Sequence, residues 1–261
     1  MLGKLIKHEL NATGRIFLPL YFIILILSLV NRVLINISIS TGPLNTLRGF
    51  MIAAYALSIV ATLVVTFVIM IIRFYKNLMS DEGYLMFTLP IKSSQLISAK
   101  LITSLLWNIA SILLVAGSLL IMLGTSNNMT ILRDFIDFVA RGLKASFGSN
   151  YVLLIIEFTI MMLVSLVQQI LLIYVSIAVG HLFNGHKVLG SFISYIAIST
   201  IIQILVTLIL LIWARIAGSS LAELEAIPQK VFPFSIIFAL ICNILFYFGT
   251  NYIFNRKLNL E

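Results

Sequence analysis

Six long apolar stretches dominate the sequence, at about Phe17–Ile37, Phe50–Ile72, Leu96–Leu123, Tyr151–Val179, Val188–Trp213 and Phe232–Phe254. Each reaches the roughly 20 residues that a helix needs to cross the hydrocarbon core of a bilayer. Apolar residues make up 61% of the 261-residue chain and charged residues 10%, where soluble domains have roughly 45–50% and 25%. Such a chain has too little polar surface to enclose its own core in water. A soluble enzyme, a disordered tail, a collagenous chain and a disulfide scaffold are thereby excluded. Helices are expected throughout, because a helix satisfies its own backbone hydrogen bonds in lipid. Strand-period alternation is absent, which argues against an outer-membrane barrel. The expected fold is an all-α polytopic membrane protein, one transmembrane domain of six helices over residues 1–261.

Lys4, Lys7 and Arg15 precede the first stretch like the front of a signal peptide. That stretch is too long for one and no A-x-A-like site follows, so it is expected to remain as the first crossing helix. Six crossings put both termini on one side. That side carries ten of the 17 Lys and Arg, and the other carries seven. The excess predicts cytoplasmic termini in the plasma membrane. The net charge of +8 then reads as orientation signal and contact with anionic lipid headgroups rather than as a nucleic-acid footprint. Cys242, alone of its kind, cannot form an intrachain disulfide and reads as a small buried hydrophobe.

Segments outside the stretches are also patterned. Over residues 1–16, Lys4, Lys7, His8, Asn11 and Arg15 recur at helical spacing opposite Leu2, Leu5, Ile6 and Leu10, predicting an interfacial helix. Within residues 124–150, Ile131, Leu132, Phe135, Ile136, Val139, Leu143 and Phe147 share one face, and Arg133, Asp134, Asp137, Arg141 and Lys144 the other. This outer amphipathic segment fits either membrane anchoring or contact with a partner or substrate. Ser220 and Glu223 form a capping-box pattern for a short outer or partly re-entrant helix, and Pro228 and Pro233 punctuate the return.

The inner segment 73–95 is the most informative. It exposes Tyr84, Leu85, Met86, Phe87 and Leu89 behind Asp81, Glu82 and Gly83, and Pro90 closes it. A short acid-fronted helix with exposed aromatics suits a plug for a groove in a soluble partner. It equally suits a loop that dips its aromatics into headgroups. In order, Glu82-Gly83, Leu85, Leu89-Pro90-Ile91 and Lys100 resemble the inner-loop motif of ABC-2-type exporter permeases. Tyr84 and Met86 replace the Thr and second acid of the commoner pattern. The run Asp81–Pro90 and the start Lys4-Leu5-Ile6-Lys7-His8-Glu9-Leu10, with Arg15 and Pro19, are similar to a Gram-positive subgroup. The resemblance implies a permease whose loop docks a separate ABC ATPase through Asp81, Glu82, Gly83, Tyr84, Leu85, Met86, Phe87, Leu89 and Pro90. It implies a second permease copy or a paralogue as dimer partner, with ATP and Mg bound by the ATPase and no cofactor in this chain.

Polar residues recur inside the stretches. Tyr55, Ser58, Thr62 and Thr66 line one side of the second; Glu157 and Gln168 lie on a stripe of the fourth; Tyr195, Ser199, Gln203 and Thr207 follow at i+4 steps in the fifth. They suit helix–helix hydrogen bonding or a partly polar translocation path, for which Tyr55, Ser58, Thr62, Thr66, Glu157, Gln168, Ser199 and Gln203 are the candidates. Glu157 is the single acid within a stretch, close enough to its outer end to reach water. His181 and His186 lack the spacing and neighbours of a metal pair and read as solvated loop residues. Gly185–Ser191 has glycines at Walker A spacing but lacks the phosphate-binding Lys. Nucleophile elbows, zincin motifs and nucleic-acid modules are absent. The expected function is therefore the non-enzymatic permease subunit of an exporter of amphipathic or hydrophobic cargo (peptide, drug or lipid). The alternative is a self-contained six-span carrier or channel-like protein.

The orientation is checked by single cysteines at Asn77 and Ser126 in a Cys242→Ala background. An impermeant thiol reagent should label position 126, not 77, on intact cells; the reverse pattern inverts the topology.

Overall fold

A computed structural model describes residues 2–37, 43–79, 92–124, 126–183, 186–216 and 227–256. They form α1 (Leu2–Asn36), α2 (Pro43–Met79), α3 (Ser93–Leu123), α4 (Ser126–Phe147), a 3-10 turn (Gly148–Asn150), α5 (Tyr151–Gly180), α6 (Lys187–Ile216) and α7 (Ile227–Arg256). No strand occurs among the described residues. Six helical stretches among the described residues are long and apolar enough to cross a membrane, one of them, Met129–Gly180, taking in α4 and α5 together. The chain is thus an all-helical, multi-pass membrane protein by architecture. The expected short helix at Ser220–Glu223 lies outside the described residues.

The expected break between an interfacial helix and the first crossing helix is absent, because α1 runs unbroken from Leu2 to Asn36 with Pro19 inside it. At 1.5 Å per residue its 35 residues reach about 52 Å, roughly 20 Å more than the hydrocarbon core requires. Lys4, Lys7, His8, Asn11 and Arg15 are exposed, whereas Leu2, Leu5, Ile6 and Leu10 are partly covered. The face division read from the sequence holds, but the segment carrying it continues into the crossing helix.

The chain separates into two compact units, Met1–Ile72 with Ser98–Ala140, and Arg73–Ile97 with Arg141–Glu261. In the first, α3 carries a seam of Lys100, Ser104, Trp107, Ser111, Leu114 and Ser118, spaced by alternating steps of four and three. These steps average 3.6 residues, the α-helical period, so the seam follows one face of α3. α1 meets the seam in parallel, with Glu9 at Lys100, Thr13 and Phe17 at Trp107, and Tyr21 at Ser111. α2 meets it antiparallel, with Met70 at Asn108, Thr66 at Ser111 and Tyr55 at Ser118. Ile24, Tyr55 and Met122 form its apolar centre.

In the second unit α5 packs against both α6 and α7. α7 runs parallel to α5, since Phe158 meets Phe232, Val164 meets Asn243 and Val175 meets Gly249. α6 turns back on α5 through small residues. An ideal Cβ at Gly180 would collide with the Ser191 backbone, and one at Gly190 would lie 2.9 Å from the Gly180 carbonyl oxygen. Only glycine permits such a backbone approach, the small-residue packing common between membrane helices. Gly180→Val should therefore force α5 and α6 apart, at about 1–3 kcal/mol by the usual cost of overpacking. A lowered melting temperature of the detergent-purified protein checks this, with Gly117→Val, where a Cβ meets nothing within 4 Å, as the tolerated control.

Candidate functional site

Two polar constellations stand out, and the first was not expected as a pair. Glu9 and Lys100 meet at 2.6 Å between Lys100 Nζ and Glu9 Oε1, with side chains only 6% exposed each. Glu9 lies on the α1 turn that also faces α3 through Thr13, whose hydroxyl donates to the Glu9 carbonyl at 2.7 Å. The same hydroxyl accepts from Trp107 Nε1 at 2.7 Å, and Trp107 stacks on Phe17 with centroids 4.4 Å apart. Two charges removed from water hold one geometry at high cost if either is lost. The sequence signal was a Lys set a turn inside an apolar stretch and an acid inside a basic helix start.

The second constellation frames the segment 80–91. That segment, with the proposed docking residues Asp81, Glu82, Gly83, Tyr84, Leu85, Met86, Phe87, Leu89 and Pro90, lies outside the described residues. Its two flanks are described. On the α2 side Phe74 is fully buried and stacks on Tyr174 of α5, with centroids 3.7 Å apart and planes 9° apart. Phe254 of α7 closes on Phe74 edge-on at 6.0 Å. On the α3 side Ser93 Oγ donates to Asn255 Oδ1 at 2.8 Å, and Tyr247 hydroxyl donates to the Ser94 carbonyl at 3.1 Å. Both flanks are thus fastened to the C-terminal ends of α5 and α7.

His181, expected as a solvated loop residue, is instead half-buried beside the Tyr75 ring at 5.3 Å, and its Nε2 is enclosed without a hydrogen-bond partner among the described residues. Burial first, and the charge of Lys187 second, hold its imidazole below the usual histidine value. His186 and His8 are exposed. No group of three or more His, Cys, Asp or Glu among the described residues could hold a metal.

The candidate path residues fall into different surroundings. Tyr55 hydroxyl bonds Ser118 Oγ at 2.8 Å and Thr66 Oγ1 bonds Ser111 Oγ at 2.9 Å. Thr62 is fully enclosed and donates to the Ser58 carbonyl, and Ser58 donates to the Tyr55 carbonyl. The second-span stripe is thus occupied by packing within the first unit. Glu157 is half-buried, and its Oε2 is enclosed without a partner among the described residues. Gln168 is half-buried. On α6, Tyr195 and Ser199 are half-buried whereas Gln203 and Thr207 are exposed. Ser199 and Thr207 donate to their own helix, at Ile196 and Gln203.

The chain matches no protein-family model, no curated protein and no solved structure.

Removing one member of the buried pair breaks a desolvated charge contact, a loss of about 3–5 kcal/mol. Glu9→Gln and Lys100→Met should each lower the melting temperature more than the combined variant does. The exchange Glu9→Lys with Lys100→Glu should recover stability that either reversal alone loses. Strictly additive effects would remove any coupling between the two residues.

Proposed function

We propose that this chain is the transmembrane subunit of an ATP-driven exporter of the ABC-2 type, moving amphipathic or hydrophobic cargo by alternating access. The ATPase is a separate chain that docks on the segment 80–91, and two permease subunits enclose the path. The observation that carries this reading is the polar stripe on α6. Gln203 and Thr207 lie exposed on a helix long and apolar enough to cross the membrane. The Gln203 amide has two donors and an acceptor that hydrocarbon cannot satisfy. A wet path shared with a second subunit satisfies them. Few charges line the crossing helices, which suits cargo with a large apolar part and disfavours a highly charged sugar or nucleotide. In this reading the stripe Tyr55, Ser58, Thr62 and Thr66 holds helices together, and α6 faces the cargo. The fastening of Phe74 and of Ser93–Ser94 to α5 and α7 supports a loop whose displacement is delivered to those helices.

Phe87→Ala and Tyr84→Ala each remove an aromatic anchor worth at least about 2 kcal/mol, roughly a thirtyfold loss of affinity. A tagged permease carrying either should reach the membrane normally yet lose its ATPase on purification and lose transport. Lys92→Ala should retain both. Wild-type ATPase recovery and transport by both aromatic variants would leave a self-contained carrier as the better reading.

A further inference from the structure

The helix α4 runs through the 3-10 turn into α5, within one apolar stretch Met129–Gly180, but its own residues carry five charged side chains, Arg133, Asp134, Asp137, Arg141 and Lys144. Its 22 residues span about 33 Å. Placed at 100° per residue, Arg133, Asp134, Asp137, Arg141 and Lys144 fall within an arc of roughly 100°. Ile131, Leu132, Phe135, Ile136, Phe138 and Val139 occupy the remainder. Among the described residues nothing covers this apolar face, with Phe135 62% and Phe138 69% exposed. Five charges on one arc forbid a crossing, at about 2.5–3.5 kcal/mol for each basic or Asp side chain at the bilayer centre.

The connections at its ends decide what covers the face. Consecutive crossings meet on one side of the membrane, so the end of α3 and the start of α5 share a surface. Between α3 and α4 lie only Gly124 and Thr125, a reach of about 7 Å. Between α4 and α5 lies the 3-10 turn Gly148–Asn150, about 6 Å. Gly148 has φ +59°, a left-handed conformation suited to glycine that redirects the chain out of α4. A charged amphipathic helix joined this closely at each end to a crossing helix is held at the membrane surface. Flanking residues continue the apolar exposure, with Leu120 on α3 and Val152 and Leu153 on α5 all exposed. Arg133, Arg141 and Lys144 are then at the level of headgroup phosphates.

We infer that α4 is a lipid-seated strut, with its apolar face in the boundary between headgroups and acyl chains and its charged arc toward water. The inference is independent of the exporter reading, because it needs neither an ATPase nor cargo. It assigns the exposed face to lipid rather than to a protein partner or a peptide.

The test uses the full chain with Cys242→Ala in phosphatidylcholine/phosphatidylglycerol vesicles. Spin labels are placed singly at cysteines replacing Ile131, Phe135 and Val139, and at cysteines replacing Arg133, Asp137 and Arg141. Labels on the first set should collide with oxygen and be shielded from an aqueous nickel chelate, and labels on the second set should show the reverse. Shielding of the first set from both reagents would mean a protein covers the face, and exposure to the nickel chelate would mean α4 stands in water; either overturns the inference. A photoactivatable phospholipid on the unsubstituted protein gives a second reading free of folding effects. Adducts should map to Ile131–Val139, and their absence there alongside adducts on α5 and α6 also overturns it.

Discussion

Inside a bilayer no water is at hand to accept or donate a hydrogen bond, so each polar side chain on a crossing helix must find its partner in protein. In the first unit α3 supplies those partners. Apart from Leu114 its seam is made of polar or aromatic groups, and α1 and α2 each bring complementary groups to it. Individually such bonds are small, about 0.6 kcal/mol on average between membrane helices. Their effect is to select one arrangement. Apolar side chains pack almost as well against lipid as against each other, so specificity falls to Lys100, Trp107, Ser111 and Ser118.

The second unit solves the same problem with fewer hydrogen bonds. There the contact between α5 and α6 rests on the missing side chains of Gly180 and Gly190, which bring two backbones together. The contact among the flank of α2, α5 and α7 rests on three aromatic rings, Phe74, Tyr174 and Phe254. Stacked rings add about 0.5–1.5 kcal/mol beyond their buried area and fix an angle as well as a distance. Of the three, Phe74 lies just before the segment 80–91 in the chain.

The helical class and the six crossings were legible because length and hydropathy alone dictate them. The face division of residues 1–16 was legible too, since charge periodicity survives whatever the helix does next. Where that helix would end was not: residues 15–17 hold no breaker that forces a turn, and Pro19 is accommodated within α1. The polar stripes were legible as stripes but not as uses. Thr66 and Gln203 look alike in sequence, and only the position of α3 makes one a packing residue while the other faces outward. Glu9 and Lys100 stand 91 positions apart, and no local pattern links an acid and a base at that separation. His181 reads as a loop residue until the Tyr75 ring is placed against it.

The spacing of the α3 seam also limits how the first unit can move. Glu9, Phe17 and Tyr21 contact Lys100, Trp107 and Ser111 together. Sliding α1 by a single helical turn, about 5.4 Å, would separate all three contacts at once and offer no equivalent set. Intermediate offsets part the buried carboxylate from the buried ammonium. α1 and α3 therefore have one register and no soft sliding coordinate. Motion open to them is rotation or tilt as a joined pair, so a rearrangement of this unit is a change of orientation and not of alignment.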